Sequence, residues 1–378
     1  MAPEHCMENQ YATACDFYAS VKVKSPGTNS HRLEASRVLH TSGDHPPARA
    51  AVSEELGMCY SAQVVAEYKA YLRLFGAGMG LKEFYELFWR RSKEPDLINI
   101  PKAMEDAFSD PQNAQEREIK DLVDAYRARQ SQEWTELLFA QKTRLAAATR
   151  KLAEKPTKTA EKDQGIASRK IAQIEGWLAD LRRVEPKDRD ARIYPDHYAP
   201  VMVVRDGQRV VLPMRYHCLP AGKPAFYDAK FPGTFNARRD SLEGFWSGQF
   251  GVTHGVTLWS AFYENVPRHK AEGRELADDE KAQNVILQFK PETQGDMLVA
   301  CLWSHWTGKN GEPELLSFAA ITDEPPPEVA AAGHDRCIIP IKHENIEAWL
   351  HPDPKNLAAQ YAILDDRQRP NYEHRKAA

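Results

Sequence analysis

The spacing of apolar positions divides the chain into a helical stretch followed by a strand-rich one. From Ser61, the block SAQVVAEYKAYLRLF sets Val64, Tyr68, Tyr71 and Phe75 at intervals of three and four, which predicts a helix with one buried face. GLKEFYELFWRRS predicts a second helix, presenting Leu81, Phe84, Leu87 and Phe88. Ile119, Leu122, Val123 and Tyr126 follow the same rule, and Ile171, Ile174, Leu178 and Leu181 recur at the spacing of a coiled-coil seam. Two long helices joined near EKPTKTAEKDQG are expected to form an antiparallel hairpin. At about Ala191 the period changes. VMVVRDGQRVVL holds two β-rich runs around Asp206-Gly207, a strong hairpin signature. GVTLWSAFYENV, NVILQFK, MLVACLWSHW and LLSFAAITDE follow as short strands between turns, and HENIEAWLHP reads as a short helix.

This pattern predicts an α+β protein, a β-rich body of mostly antiparallel strands with a long inserted helical arm. Residues 1–57 are polar and irregular and are expected to carry little fixed structure. Residues 58–75 are read as the start of the body, 76–190 as the helical insertion, 191–357 as the β-rich domain and 358–378 as a tail. Its last stretch, DDRQRPNYEHRKAA, is read as solvated.

Composition narrows the function classes. A chain of 378 residues with 42% hydrophobic and 10% aromatic residues can bury a sizeable core, and a formal charge of -4 excludes a uniformly basic surface. Contact with nucleic acid therefore requires a local patch. Between Lys142 and Arg192 there are 14 Lys/Arg against 8 Asp/Glu, most simply a solvated helical face, with room for an auxiliary phosphate contact. Six cysteines are widely scattered, with no Cys-x-x-Cys pair and no zinc-type cluster. That usage points to reduced thiols, a cytoplasmic location, and no metal or other cofactor. The chain has no run of 18 apolar residues and no signal-peptide pattern near its start, so no membrane association is expected.

Three stretches of the β-rich half carry candidate chemistry. PGTFNARRDSL contains Asn236 and Arg238; WSAFYENV ends an apolar strand on Glu264; AGHDRCIIP sets His334 and Arg336 before another apolar strand. Taken singly, each has an ordinary explanation as a turn, a cap or a surface charge. Their order, behind the Met58-Cys59 dipeptide, resembles the SOS-response-associated peptidase family, also described as abasic-site processing proteins. YPDHYAPVMVV is similar to that family's Tyr-x-x-Ala-Pro segment, FNARRDSL to Asn-Ala-Arg-x-Glu-Thr, and WSAFYEN to Gly-Phe-Tyr-Glu-Trp. LLSFAAIT, AGHDRCIIPI and EAWLHP together resemble the family's Ser-Phe to His-Asp-Arg to Trp-Leu end, the most specific match. The resemblance covers Met58-Cys59 and then residues 191–352. It departs where Tyr60-Ser61 replaces Gly-Arg, where MRYHCLPAG keeps only Leu219 and Pro220 of Trp-Gly-Leu-x-Pro, and where Asn265 replaces the tryptophan after the glutamate.

The resemblance implies covalent capture of an abasic site in single-stranded DNA, in the context of the SOS response to DNA damage. An N-terminal cysteine offers an α-amine and a thiol on adjacent carbons, which close a thiazolidine on the sugar aldehyde through a Schiff base. By that likeness Cys59 is the nucleophile and Glu264 the general acid/base. His334 carries protons, Asn236 orients the amine, and Arg238 and Arg336 bind phosphates. A β-eliminating lyase side reaction can follow from the same Schiff base. An internal cysteine has no amine, so residues 1–58 must be absent from the active form. Either Cys59 cleaves the preceding bond itself, or Met58 is the initiator. Glu54-Glu55, encodable as GAGGAG, lies two codons before Met58, which is the layout of a bacterial ribosome-binding site, and this second route is the expectation. Two rival readings differ in class. One is a cysteine peptidase acting on external peptides. The other is a non-catalytic single-strand-binding module stacking bases on Trp246, Trp259, Trp303 and Trp306. The arm is left open to a protein partner, self-association through the Ile171/Leu178 seam, or DNA.

Overall fold

The computed structural model describes residues 61–377 apart from Gln294 and Asn310, with 41% helix and 25% strand. The chain is an α+β protein, as the alternation of periods implies. Met58 and Cys59 lie outside the described residues. The first element is a strand, β1 (Ser61–Val64), and only then does the helix α1 (Tyr68–Phe75) begin. The single long helix expected from Ser61 is therefore corrected. Val64, Tyr68, Tyr71 and Phe75 are all buried as expected, but Val64 is buried from a strand.

The helices that follow are β2 (Gly78–Met79) excepted, in chain order, α2 (Leu81–Lys93), α3 (Lys102–Asp106), α4 (Ala114–Glu154) and α5 (Lys158–Arg182). Phe84, Phe88, Met104 and Phe108 belong to the same core as the sheet, so the stretch before Ala114 is part of the body. The strand β2 pairs parallel with a strand of the body, a break in the all-helical reading of 76–190. α4 and α5 form the expected hairpin. Asn113 caps α4 by accepting from the Glu116 amide at 2.9 Å, and Thr157 caps α5 through the Ala160 amide at 3.2 Å. Pro156 ends the first helix, since the residue before a proline avoids helical geometry. Pairings such as Trp134–Trp177, Lys142–Glu175 and Arg144–Asp163 join the two helices on either side of the turn and fix the antiparallel arrangement. Ile174 and Leu178 are buried and Ile171 and Leu181 half-buried, so α4 occupies the apolar seam that sequence alone left open to a second copy.

The body is built on a 12-stranded sheet. After β3 (Arg192–Ile193), β4 (Tyr198–Arg205) and β5 (Gln208–Tyr216) form the predicted hairpin, with Asp206 and Gly207 at φ 52° and 72°. Then come α6 (Tyr227–Lys230), β6 (Asn236–Arg238), β7 (His254–Pro267), α7 (Arg268–Ala271), β8 (Asn284–Pro291), β9 (Met297–Trp306) and β10 (Leu315–Asp323). The chain closes with α8 (Pro327–Ala331), β11 (Cys337–Ile338), α9 (Ile346–Leu350), α10 (Leu357–Asp365) and β12 (Tyr372–Lys376). The long β7 is central, pairing antiparallel with β1, β4, β8 and β9. The solvated tail is corrected: β12 pairs with β8 from Tyr372 opposite Pro291 to Lys376 opposite Leu287, and Tyr372 is buried. Its other side chains are exposed and polar, as an edge strand tolerates.

A buried ionic cluster ties the base of the hairpin to the body. Arg91 of α2 pairs with Glu105 of α3, whose other oxygen accepts from Arg127 of α4 at 2.7 Å, while Arg91 also covers the Tyr126 ring at 4.0 Å. Removing one partner leaves a buried charge uncompensated. Glu105→Ala is expected to destabilise the protein by about 3–5 kcal/mol in denaturant unfolding; a change under about 1 kcal/mol would show that the cluster is not holding the hairpin.

Candidate functional site

Strand alternation decides which way the side chains of FYEN point. On β7, Phe262 and Glu264 share one face and Tyr263 the other, because successive strand residues face opposite sides. Glu264 pairs with Leu287 on β8 and is fully buried. His334 arrives from a different part of the chain. After α8, Gly333 turns the backbone at φ 97°, a conformation that L side chains avoid, and a Cβ there would lie 2.9 Å from Lys270. This glycine swings His334 inward, where Nε2 stands 3.0 Å from Glu264 Oε2 with both side chains at 1% exposure or less. His334 Nδ1 is 2.9 Å from the Arg336 carbonyl.

Burial on its own would lower the pKa of His334, but the hydrogen bond and charge of Glu264 outweigh it, so the imidazole is held above its ordinary value. His334 Nδ1 also lies 3.3 Å from the Arg336 amide, so which ring nitrogen carries the proton follows the protonation state. The charged imidazolium, which Glu264 favours, gives Nδ1–H to the Arg336 carbonyl and sets Nε2–H against the carboxylate. Cys337, one strand residue beyond the turn, is raised by burial and then by the Glu264 charge, which keeps its thiol neutral. The other described cysteines behave alike. Burial pushes Cys218 up to about 12, and Cys301 is raised well above its usual value. Neutral buried thiols are poor nucleophiles.

Asn236 is placed by β6, which runs parallel to β10 with Asn236 opposite Ala320. It is buried, and the Tyr216 hydroxyl lies 3.5 Å from its Oδ1. Tyr216 in turn packs edge-on against Trp259, the β7 residue paired with Val64 of β1. The structure therefore brings Glu264 and His334 into contact and ties Asn236, through two rings, to the partner of the first described strand. Arg238 and Arg336 stand differently. Arg238 is half exposed and meets Asp240 at 2.8 Å; Arg336 is mostly buried and meets Asp335 at 3.4 Å. Among the described residues, no group of three or more His, Cys, Asp and Glu is placed to hold a metal ion.

The reverse face of β7 carries a polar network that sequence reasoning missed. The Tyr263 hydroxyl donates to Gln63 Oε1 at 3.0 Å and accepts from Gln288 Nε2 at 2.7 Å; Arg192 lies 3.7 Å over the Tyr263 ring and donates to the Ser61 hydroxyl at 3.0 Å. Ser61, Gln63, Tyr263 and Gln288 are all buried. Gln288, a polar residue within the apolar NVILQFK strand, was the available signal, whereas Gln63 lay in a stretch read as helix. The tryptophans correct a rival reading: Trp246, Trp259 and Trp306 are buried in the interior and Trp303 is half-buried, so they do not offer a row of stacking faces.

A mixed sheet with a buried carboxylate–imidazole pair beside its first described strand defines a class of body in which polar chemistry is held away from water. Residues 153–376, more than half the chain, match the model of the SOS response associated peptidase (SRAP) family, and the chain belongs to it. At family level, membership carries an SOS-associated, abasic-site-related role and a DNA-related partner. A structural genomics crystal structure from Bordetella bronchiseptica is similar at 16% identity over 50% of this chain and 87% of its own, with a TM-score of 0.39. One from Bacteroides thetaiotaomicron is 16% identical over 50% and 78%, at 0.38. A phage-related protein from Bordetella bronchiseptica is 16% identical over 52% and 85%, at 0.36. No curated protein matches. No helix among the described residues is long and apolar enough to cross a membrane.

The raised His334 pKa has a consequence for stability. A group whose folded pKa lies above its unfolded value stabilises fully below the unfolded pKa, about 6.5, and that contribution is lost as pH rises through the folded value. In denaturant unfolding across this range, the lead of the wild type over His334→Gln is expected to be greatest below pH about 6.5 and to shrink above it. A difference independent of pH would contradict the charged pair.

Proposed function

We propose that the protein captures abasic sites in single-stranded DNA by closing a thiazolidine between the lesion aldehyde and the terminal amine and thiol of Cys59. The observation that carries this reading is the buried Glu264–His334 pair at 3.0 Å, on the strand against which β1 begins, with Ser61 opposite Tyr263. A condensation that loses water needs a proton donor held close to an uncharged amine, and the pair supplies one out of reach of bulk solvent.

In this reading the amine adds to the aldehyde carbon. The resulting hydroxyl takes a proton from the Glu264–His334 pair and leaves as water. The Cys59 sulfur then closes on the iminium carbon, and its proton restores the pair. Aldehyde and aminothiol lose one water in total, and nothing is oxidised or reduced. Asn236 orients the amine, and holding the two reactants together is where the site contributes most. Arg238 takes a phosphate in exchange for Asp240, and Arg336 does so for Asp335, contacts that bind without reading sequence. The α-amine, with a reference pKa of about 7.7–8.0, is partly neutral near neutral pH. The active form begins at Cys59. Initiation at Met58 followed by its removal delivers that form most simply, and self-cleavage before Cys59 is the other route. The same iminium gives access to β-elimination at the lesion.

The test mixes a chain started at Met58 with a single-stranded oligonucleotide carrying one abasic site. A heat-stable shifted band is expected, and none from the 378-residue chain unless it is first trimmed. Glu264→Gln and His334→Gln are each expected to slow band formation by about 10²–10⁴-fold. A cysteine peptidase acting on external peptides keeps its activity when the α-amine is acetylated. Capture that survived acetylation would contradict the thiazolidine.

A further inference from the structure

The basic excess of the hairpin is not evenly spread once its ion pairs are placed. Lys142 meets Glu175 at 3.0 Å, Arg144 meets Asp163 at 2.6 Å, Arg183 holds Asp180 and Asp190, and Arg189 meets Asp180 at 2.5 Å. These pairs neutralise much of the excess elsewhere along the hairpin. The closed end differs. Residues 150–170 hold seven Lys/Arg against three Asp/Glu, a local charge of +4 in a chain whose total is -4. Arg150, Lys151, Lys155, Lys158, Lys162 and Arg169 are exposed there, and none of the six has a carboxylate within ion-pair distance among the described residues.

Three of these cations form a row. Lys158, Lys162 and Arg169 stand at i, i+4 and i+11 on α5, which places them within about 40° of one another around the axis and along about 16 Å of its length. Ala160, Ala167, Ile174 and Leu178, the buried residues of α5, fall on the opposite side. The row is flat between Lys162 and Arg169, where Gly165 shares this face, and beyond Arg169, where Gly176 does; a Cβ at either would meet nothing within 4 Å. Like charges one turn apart disfavour the helix that bears them, so this arrangement stabilises nothing within the chain.

We propose that this row, with the cations of the adjoining turn, is a docking surface for the sugar-phosphate backbone of a nucleic acid, gripping the strand apart from the Glu264–His334 site. The inference deepens the reading above and shares with it only the nature of the substrate. A polyphosphate fits because release of its condensed counterions compensates for gathering the cations. A protein partner fits poorly, because the centre of a protein interface needs a buried aromatic or aliphatic anchor and this face offers glycine, alanine and long cationic side chains. Contacts from such cations to phosphate oxygens carry no sequence information, so the grip is independent of sequence.

Undamaged oligonucleotides separate this contact from covalent capture. Binding of a single strand, and of a single strand joined to a duplex, is followed by fluorescence anisotropy between about 50 and 200 mM salt, using the chain started at Met58 and its K158Q/K162Q/R169Q variant. Glutamine keeps the helix propensity, and circular dichroism of the variant checks that the hairpin is intact. The variant is expected to bind several-fold more weakly at the low-salt end. The slope of log affinity against log salt should shrink by about 2 on the single strand, or by nearly 3 if the row grips duplex. Capture of an abasic strand at saturating DNA should run at the wild-type rate. A variant that loses the salt-dependent binding while neither protein forms the heat-stable band supports the arm and overturns the reading of the site. Unchanged affinity and slope on both probes overturn the arm, as does a variant that loses only polyglutamate binding, which would assign the row to an acidic protein.

Discussion

Glu264 and His334 face each other across 3.0 Å with almost no access to water, and neither is tenable there alone. An isolated buried ion costs several kcal/mol, and their mutual attraction offsets that only if both are held in register. The rest of the body supplies the register. Alternation along β7 points Glu264 to the side away from Tyr263, and the left-handed turn at Gly333 aims His334 at it. The sheet holds these two segments, about seventy residues apart in sequence, as neighbours. Burial, and after it the charge of Glu264, also raises the Cys337 thiol and so disfavours its thiolate.

Around that pair the molecule separates two kinds of polar burial. On one face of β7 lies the titratable carboxylate–imidazole contact of Glu264 with His334. On the other lies a neutral network of Gln63, Tyr263 and Gln288, which has no titration near neutrality to contribute and instead fixes where β1 enters the sheet. The helical hairpin stands apart from both. Its apolar seam is filled internally, its base is locked by Arg91, Glu105 and Arg127, and its closed end is where unpaired positive charge collects. The family match runs over residues 153–376, from the closed end of the hairpin through the body.

Much of this was legible in the sequence where one local signal matched the final environment. The Asp206-Gly207 turn needed two positive φ values, and the residues that tolerate them announced it. Glu264 and His334 were visible because polar residues closed or preceded apolar strands in a family-like order. The failures came where long-range pairing overrode local period. Ser61–Val64 continues the spacing of α1, yet its backbone is claimed by β3 and β7, partners at least 129 positions away in sequence. Tyr372–Lys376 reads as solvated because four of its five side chains are; its backbone pairing with β8 leaves no trace in hydropathy. The Gln63–Gln288 contact was invisible for the same reason, since only the sheet topology makes those residues neighbours.

The central claim is that proton transfer by the buried pair serves a terminal aminothiol. Tandem mass spectrometry of the protein digested after reaction with an abasic oligonucleotide tests it most directly. The account predicts an adduct on the peptide that begins with Cys59, with both its amine and its sulfur consumed and the mass of one water lost. An adduct on a lysine, or on sulfur alone in a peptide that still carries residues ahead of Cys59, would contradict it.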